Sequence, residues 1–103
     1  MKKLLLLPVL MLSFNAFAYV SKDDLNAMRK EVKGMTKEAV TAKHIKLYEA
    51  VKADASEKNC YDFNVFADAA LNEKKIDFMD MEAQKRSFSV RKACIAFRCI
   101  SSD

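Results

Sequence analysis

Apolar residues recur along this chain at spacings of three and four rather than two. Leu25, Met28, Val32 and Met35 form one narrow stripe, the signature of an amphipathic helix. Ser21 precedes it, with Asp24 three residues on, a capping box in which aspartate replaces the usual glutamate. Gly34 is the only glycine of the chain and stands where a helix end favours a left-handed residue. The pattern predicts a first helix over about 22–33. Thr36 is placed to cap a second, with Glu38 in its first turn, where the helix dipole favours a negative charge. Val40, His44, Leu47, Val51 and Ala55 share one face, Tyr48 beside them and Ile45 off the line, while Lys43, Lys46, Glu49 and Lys52 take the outer side. This second helix is expected to reach about Ala55.

Ser56-Glu57-Lys58-Asn59 is a polar break, and Ser56 or Asn59 suits the cap of a third helix. Phe63, Phe66, Ala67, Ala70 and Leu71 then fall at i, i+3, i+4, i+7 and i+8, a core-facing helix, with Tyr61 and Val65 widening the apolar face and Cys60 at its start. Beyond the polar Asn72–Lys75, Asp77 is placed to cap another helix. There the pattern splits. Phe78, Met81 and Phe88 would lie on one side of a continuous helix, and Val90, Cys94 and Phe97 on the opposite side. Serine competes for backbone hydrogen bonds, so the reading favours a break near Ser87-Phe88-Ser89, followed by a second repeat of Val90, Ala93, Cys94 and Phe97. Ser101–Asp103 reads as a frayed end. The fold class expected is all-α, a small bundle of four to five short helices.

The N-terminus changes the picture by assigning a compartment. Lys2 and Lys3 precede the apolar run Leu4–Leu12, interrupted only by Pro8, and Ala16-Phe17-Ala18 is an A-x-A site. That order is expected of a secretory signal peptide; the apolar run is short of the roughly 20 residues that span a bilayer. Residues 1–18 are therefore expected to be removed between Ala18 and Tyr19, leaving residues 19–103 as a single domain, periplasmic or secreted. A domain that small has a thin core and gains from a covalent staple.

Composition adds two exclusions. Of the net charge of +4, Lys2 and Lys3 carry two, so the domain itself gives no argument for nucleic acid, which calls for a clustered basic face. With one glycine there is no glycine-rich phosphate loop. The three cysteines, Cys60, Cys94 and Cys99, would meet an oxidising compartment, where one disulfide is the default and an odd count leaves a thiol over. If the third and fourth helices turn near Lys75 and Ile76, equal rises of ~1.5 Å per residue bring Cys60 opposite the region from Arg91 to Cys94. Cys60–Cys94 is the preferred pair and Cys60–Cys99 the second. Cys94–Cys99 is disfavoured because five residues along a helix place them on different faces. Cys99 is then the spare thiol, leaving a monomer or a homodimer joined through it.

Candidate chemistry is sparse. His44, the sole histidine, lies on an apolar face without the companions a catalytic site needs. Met79-Asp80-Met81, with Met28 and Met35, offers soft ligands for Cu(I), yet methionines at helical spacing also read as core filler. Asp77, Asp80 and Glu82 fit a helix N-terminus better than a carboxylate pair. Lys85, Arg86, Arg91, Lys92 and Arg98 make a basic run, and the aromatics are many for so small a domain. Tyr61 and Phe88, with those five cations, are the expected partner-contact surface. The expectation is a non-enzymatic interaction protein of a bacterial envelope (inhibitor, immunity factor, chaperone or assembly accessory) that binds another protein and holds no cofactor. A small-ligand or copper-binding protein is the alternative, and an anionic membrane surface a less favoured partner.

Overall fold

The computed structural model describes residues 20–96. The expected leader and its cleavage site, together with Phe97, Arg98 and Cys99, lie outside the described residues.

Four helices succeed one another: α1 (Lys22–Lys33), α2 (Lys37–Ala53), α3 (Glu57–Asn72) and α4 (Met81–Ala93). No strand occurs among the described residues. Each helix starts on a short polar side chain that accepts from an otherwise unpaired amide of the first turn. Ser21 accepts from Asp24 N, Thr36 from Ala39 N and Ser56 from Asn59 N, each at 3.1 Å. Asp80 takes two donors, Glu82 N at 3.0 Å and Ala83 N at 3.2 Å.

Three expectations need correction. The fourth helix begins at Met81 and not after Asp77, because the Asp77 carboxylate is used in a tight turn, accepting from Met79 N at 2.9 Å, while Asp80 caps two amides. The break near Ser87-Phe88-Ser89 does not occur; α4 passes through these residues and ends at Cys94. Within α4 the two sides are two faces of one helix, with Ala83 and Val90 buried and Met81 and Phe88 exposed, while Phe78 stands in the turn before it. Gly34 is not left-handed. Its φ is −86°, and the positive φ falls on Lys74, at 58°, where α3 turns out into the loop.

Two buried clusters run through the bundle. Val32, Val40, Phe66, Ala69, Ala70, Ile76 and Ala83 form one, with Leu25, Met28, Met35 and Leu47 packed on it. Val51, Cys60, Phe63, Val90 and Cys94 form the other, with Leu47, Tyr48, Ala55 and Ala67 at its edge. The pairing of Val40 with the end of α3 and of Val51 with its start makes α2 and α3 an antiparallel hairpin. Asn59 Nδ2 closes the turn between them by donating to Asp54 O at 2.9 Å. In the second cluster the sulfurs of Cys60 and Cys94 are 2.04 Å apart, a disulfide across 34 positions, in the pairing that helix rise favoured.

Polar contacts fasten α1 to α3. Tyr61 Oη accepts from Ser21 N at 3.0 Å and donates to Asp24 Oδ2 at 2.7 Å. Arg29 Nε donates to Glu73 Oε2 at 2.7 Å. The Lys75 ammonium donates to the carbonyls of Val32 and Lys33, both at 3.2 Å, and to that of Met35. A cation on the last carbonyls of a helix satisfies acceptors that have no intrahelical donor and opposes the dipole.

Candidate functional site

α4 lies more against α2 than against α3. Its buried links to α3 are the disulfide cluster, where Cys60 and Phe63 meet Val90 and Cys94, and Ala83, which shares the first cluster with Phe66, Ala69 and Ala70. Between the two helices lies an open groove of about 490 Å³. Its α3 wall carries Ala67 and Leu71, the loop contributes Ile76 and Phe78, and α4 contributes Met81, Lys85, Phe88 and Arg91. Local sequence explains why these side chains stand open. Ala83 and Val90 already occupy the face of α4 turned to the core, so Met81 and Phe88, on the opposite stripe, have no helix to cover them. Phe78 is 71% exposed, Met81 64%, Phe88 60% and Leu71 42%. For large apolar side chains gathered in one place this is unusual, and such patches mark interaction sites.

His44 is part of the groove lining, buried beneath it. Arg86 Nε donates to His44 Nδ1 at 2.8 Å, which places the imidazole proton on Nε2 in the neutral ring. The ring packs on Phe63 with centroids 4.7 Å apart. Burial, and secondarily the Arg86 charge, lower the His44 pKa to about 4, with Asp80 opposing the shift. The imidazole is therefore neutral near pH 7 and acts as a hydrogen-bond acceptor that fixes Arg86, joining α2 to α4 under the groove.

The expected contact residues separate into groups. Phe88, Lys85 and Arg91 line the groove. Lys92 Nζ lies over the Phe88 ring, 5.6 Å from its centroid, and so belongs to the same rim. Arg86 is turned inward to His44, and Tyr61 lies on the far side of α3 in its contacts with Ser21 and Asp24. Arg98 and the spare thiol Cys99 fall outside the described residues. Leu71, which the spacing of the third helix placed on the core face, stands exposed instead, because it lies at the edge of that face where the groove adjoins it. Phe78 and Met81 were not expected as contact surface, and their signal was the second apolar side of the Phe78–Phe88 segment.

The copper candidates are scattered. Met79 and Met81 are exposed while Met28 and Met35 pack on the first core cluster. Among the described residues no three His, Cys, Asp or Glu side chains come together to hold a metal ion. Asp77 and Asp80 accept backbone amides, and Glu82 lies 3.8 Å from Lys85. A second groove, beside Met28, Leu47 and Val65, has charged walls in which Lys43 pairs with Glu31 at 3.1 Å.

Compared with known protein families, curated proteins and solved structures, the chain matches none.

Proposed function

We propose that this protein is an exported, non-enzymatic interaction protein of the bacterial envelope, and that it contacts a protein partner through the groove between α3 and α4. The observation that carries this reading is the group of exposed apolar side chains, Leu71, Phe78, Met81 and Phe88, gathered on one opening. Covering apolar area gains roughly 25 cal/mol per Å², and buried aromatics are the usual anchors of protein contacts. The order of charged, apolar and small residues in positions 1–18 supports export, and the Cys60–Cys94 pair is what an oxidising compartment favours.

A photo-reactive phenylalanine analogue at position 88 tests the contact, with the same group at exposed Lys30 on α1 as control. Irradiation of intact cells is expected to give one discrete protein adduct from position 88 and none from position 30. Equal labelling from both positions, or none from position 88, would reject the reading. A small apolar ligand is the second reading, favoured by the groove volume, which lies in the range of small-molecule sites. Native mass spectrometry of protein taken directly from the envelope, showing a bound organic mass that Phe88→Ser abolishes, would select it.

A further inference from the structure

The groove has a shape and a charge that narrow what fills it. Between Met81 and Arg91 the α4 wall runs ~15 Å at ~1.5 Å per residue, about three helical turns. Met81, Lys85 and Phe88 fall at i, i+4 and i+7, one stripe along that wall. The opposite wall is again a helix, α3, presenting Ala67 and Leu71. The open groove between these two helical walls leaves room for a third helix to pack against both. Among the described residues no strand edge is present to accept an extended peptide. Methionine and phenylalanine at 60–71% exposure adapt to varied apolar side chains.

The charge is lopsided. From Ala83 to Ala96 the chain carries Lys85, Arg86, Arg91 and Lys92 and no carboxylate. Arg86 is turned inward to His44, so Lys85, Arg91 and Lys92 remain around Phe88 on the α4 rim. Among the described residues Arg91 and Lys92 make no ion pair, and Lys85 reaches only an exposed Glu82 at 3.8 Å. At the loop end the lining holds one acid, Asp77.

Resting on the reading of this groove as a protein-contact surface, we propose that it receives a single amphipathic α-helix of a partner protein, apolar on the buried face and acidic along the flank that lies beside α4. Leucine-sized anchors at i, i+3 or i+4, and i+7 of the incoming helix would cover Leu71, Phe78, Met81 and Phe88. Glutamates or aspartates on its flank would meet Lys85, Arg91 and Lys92, with the cations steering approach and fixing orientation while apolar contact supplies affinity.

Three synthetic peptides of about 14 residues, long enough to fill the groove at ~1.5 Å per residue, test this by fluorescence anisotropy with the oxidised protein. One has a leucine stripe and glutamate flanks, one the same stripe with lysine flanks, and one the acidic composition in scrambled order. The acidic helix is expected to bind at least about tenfold more tightly than either control, and Phe88→Glu to weaken it by about tenfold or more. Raising salt from about 50 to 300 mM should weaken it further. Because Lys85 and Arg91 are exposed, Lys85→Glu with Arg91→Glu leaves the fold intact and should exchange the preference to the lysine-flanked peptide. Equal binding of all three peptides, binding that ignores Phe88→Glu, or no exchange of preference overturns the proposal. So does tighter binding to phosphatidylglycerol vesicles that Phe88→Glu abolishes, which would make the groove lipid-directed. A specific adduct from position 88 combined with failure of the acidic peptide would sink the helix while leaving the protein-contact reading standing. Peptide binding without an adduct in cells would reject the protein-contact reading and, with it, the partner helix, leaving only a groove able to take such a peptide in vitro.

Discussion

The core and the groove side of the α3–α4 pair treat the same kind of residue in opposite ways. At the disulfide end Phe63 is 1% exposed, packed between Val51, Val90 and the two cysteines. On the groove Phe88, only two residues from Val90 but on the other face of α4, is 60% exposed. Both are phenylalanines on helices of one small domain, so hydrophobicity alone does not decide burial. The difference is whether a neighbouring helix face is left to meet them. Near the disulfide, α2, α3 and α4 converge on one cluster. Ala83 and Val90 turn the other face of α4 inward, and no helix remains to meet Met81 and Phe88 on its outer stripe. A thin core is thus filled by relatively few side chains, and Phe78 and Phe88 line a surface.

Substitution of phenylalanine should expose this contrast most strongly. Phe66→Ala, at a side chain with no exposure, is expected to cost about 3–5 kcal/mol through lost transfer energy and the cavity left behind. Phe88→Ser should stay within about 0.5 kcal/mol, as for other surface changes. Urea unfolding of the two variants checks the pair, and a large loss from Phe88→Ser would mean that the groove is closed in solution.

Removing the bolt comes next in size. Cys60→Ala with Cys94→Ala opens a loop of 34 positions and should cost about 2–4 kcal/mol. The loss should concentrate at the disulfide end, where the second cluster joins α3 and α4. Amide exchange would then accelerate in the last turns of α4 more than in α2, and uniform acceleration would show that the two ends unfold as one.

The smallest expected effect probes the joint beneath the groove. His44 is held neutral, with its pKa lowered to about 4 by burial and by Arg86, against about 6.5 in an unfolded chain. Below pH 6.5 the unfolded state binds a proton that the folded state refuses. Stability is therefore lost as pH falls from about 6.5, and the loss is complete below about 4, where both states are protonated. Between pH 7 and 5 this contributes about 2 kcal/mol. His44→Gln, whose amide oxygen still accepts from Arg86, should flatten that part of the pH dependence. Chemical denaturation of both proteins at the two pH values is the check, and parallel slopes would show that His44 titrates normally.

Much of this architecture was legible in the residues. The starts of the first three helices derive from Ser21, Thr36 and Ser56, and their core faces from the spacing of Val32, Val40, Val51, Phe63 and Phe66. The disulfide partner came from rise per residue along a hairpin. The site was harder to read. Two apolar sides in the segment from Phe78 to Phe97 looked like two short helices because a single helix was expected to have one apolar face. Met81 and Phe88 break that expectation, and the break was the trace of the groove. Nor could sequence reveal that Arg86 leaves the basic surface to join His44, 42 positions away, or that Lys75 reaches back to the carbonyls at the end of α1. Both are long side chains whose destinations depend on tertiary placement. The same is true of Gly34, whose place after a helix suggested a conformation that Lys74 adopts instead.

The disulfide between Cys60 and Cys94 also has a mechanical consequence. Under tension applied to its two ends, an oxidised chain can extend only through the residues before Cys60 and after Cys94. The 34-position span between them, roughly 120 Å of contour at ~3.5 Å per residue, is shielded from the force. α1 and α2 would peel away, while α3 and α4, with both walls of the groove, remain a closed ring that a pulling or threading machine meets as a knot two strands thick.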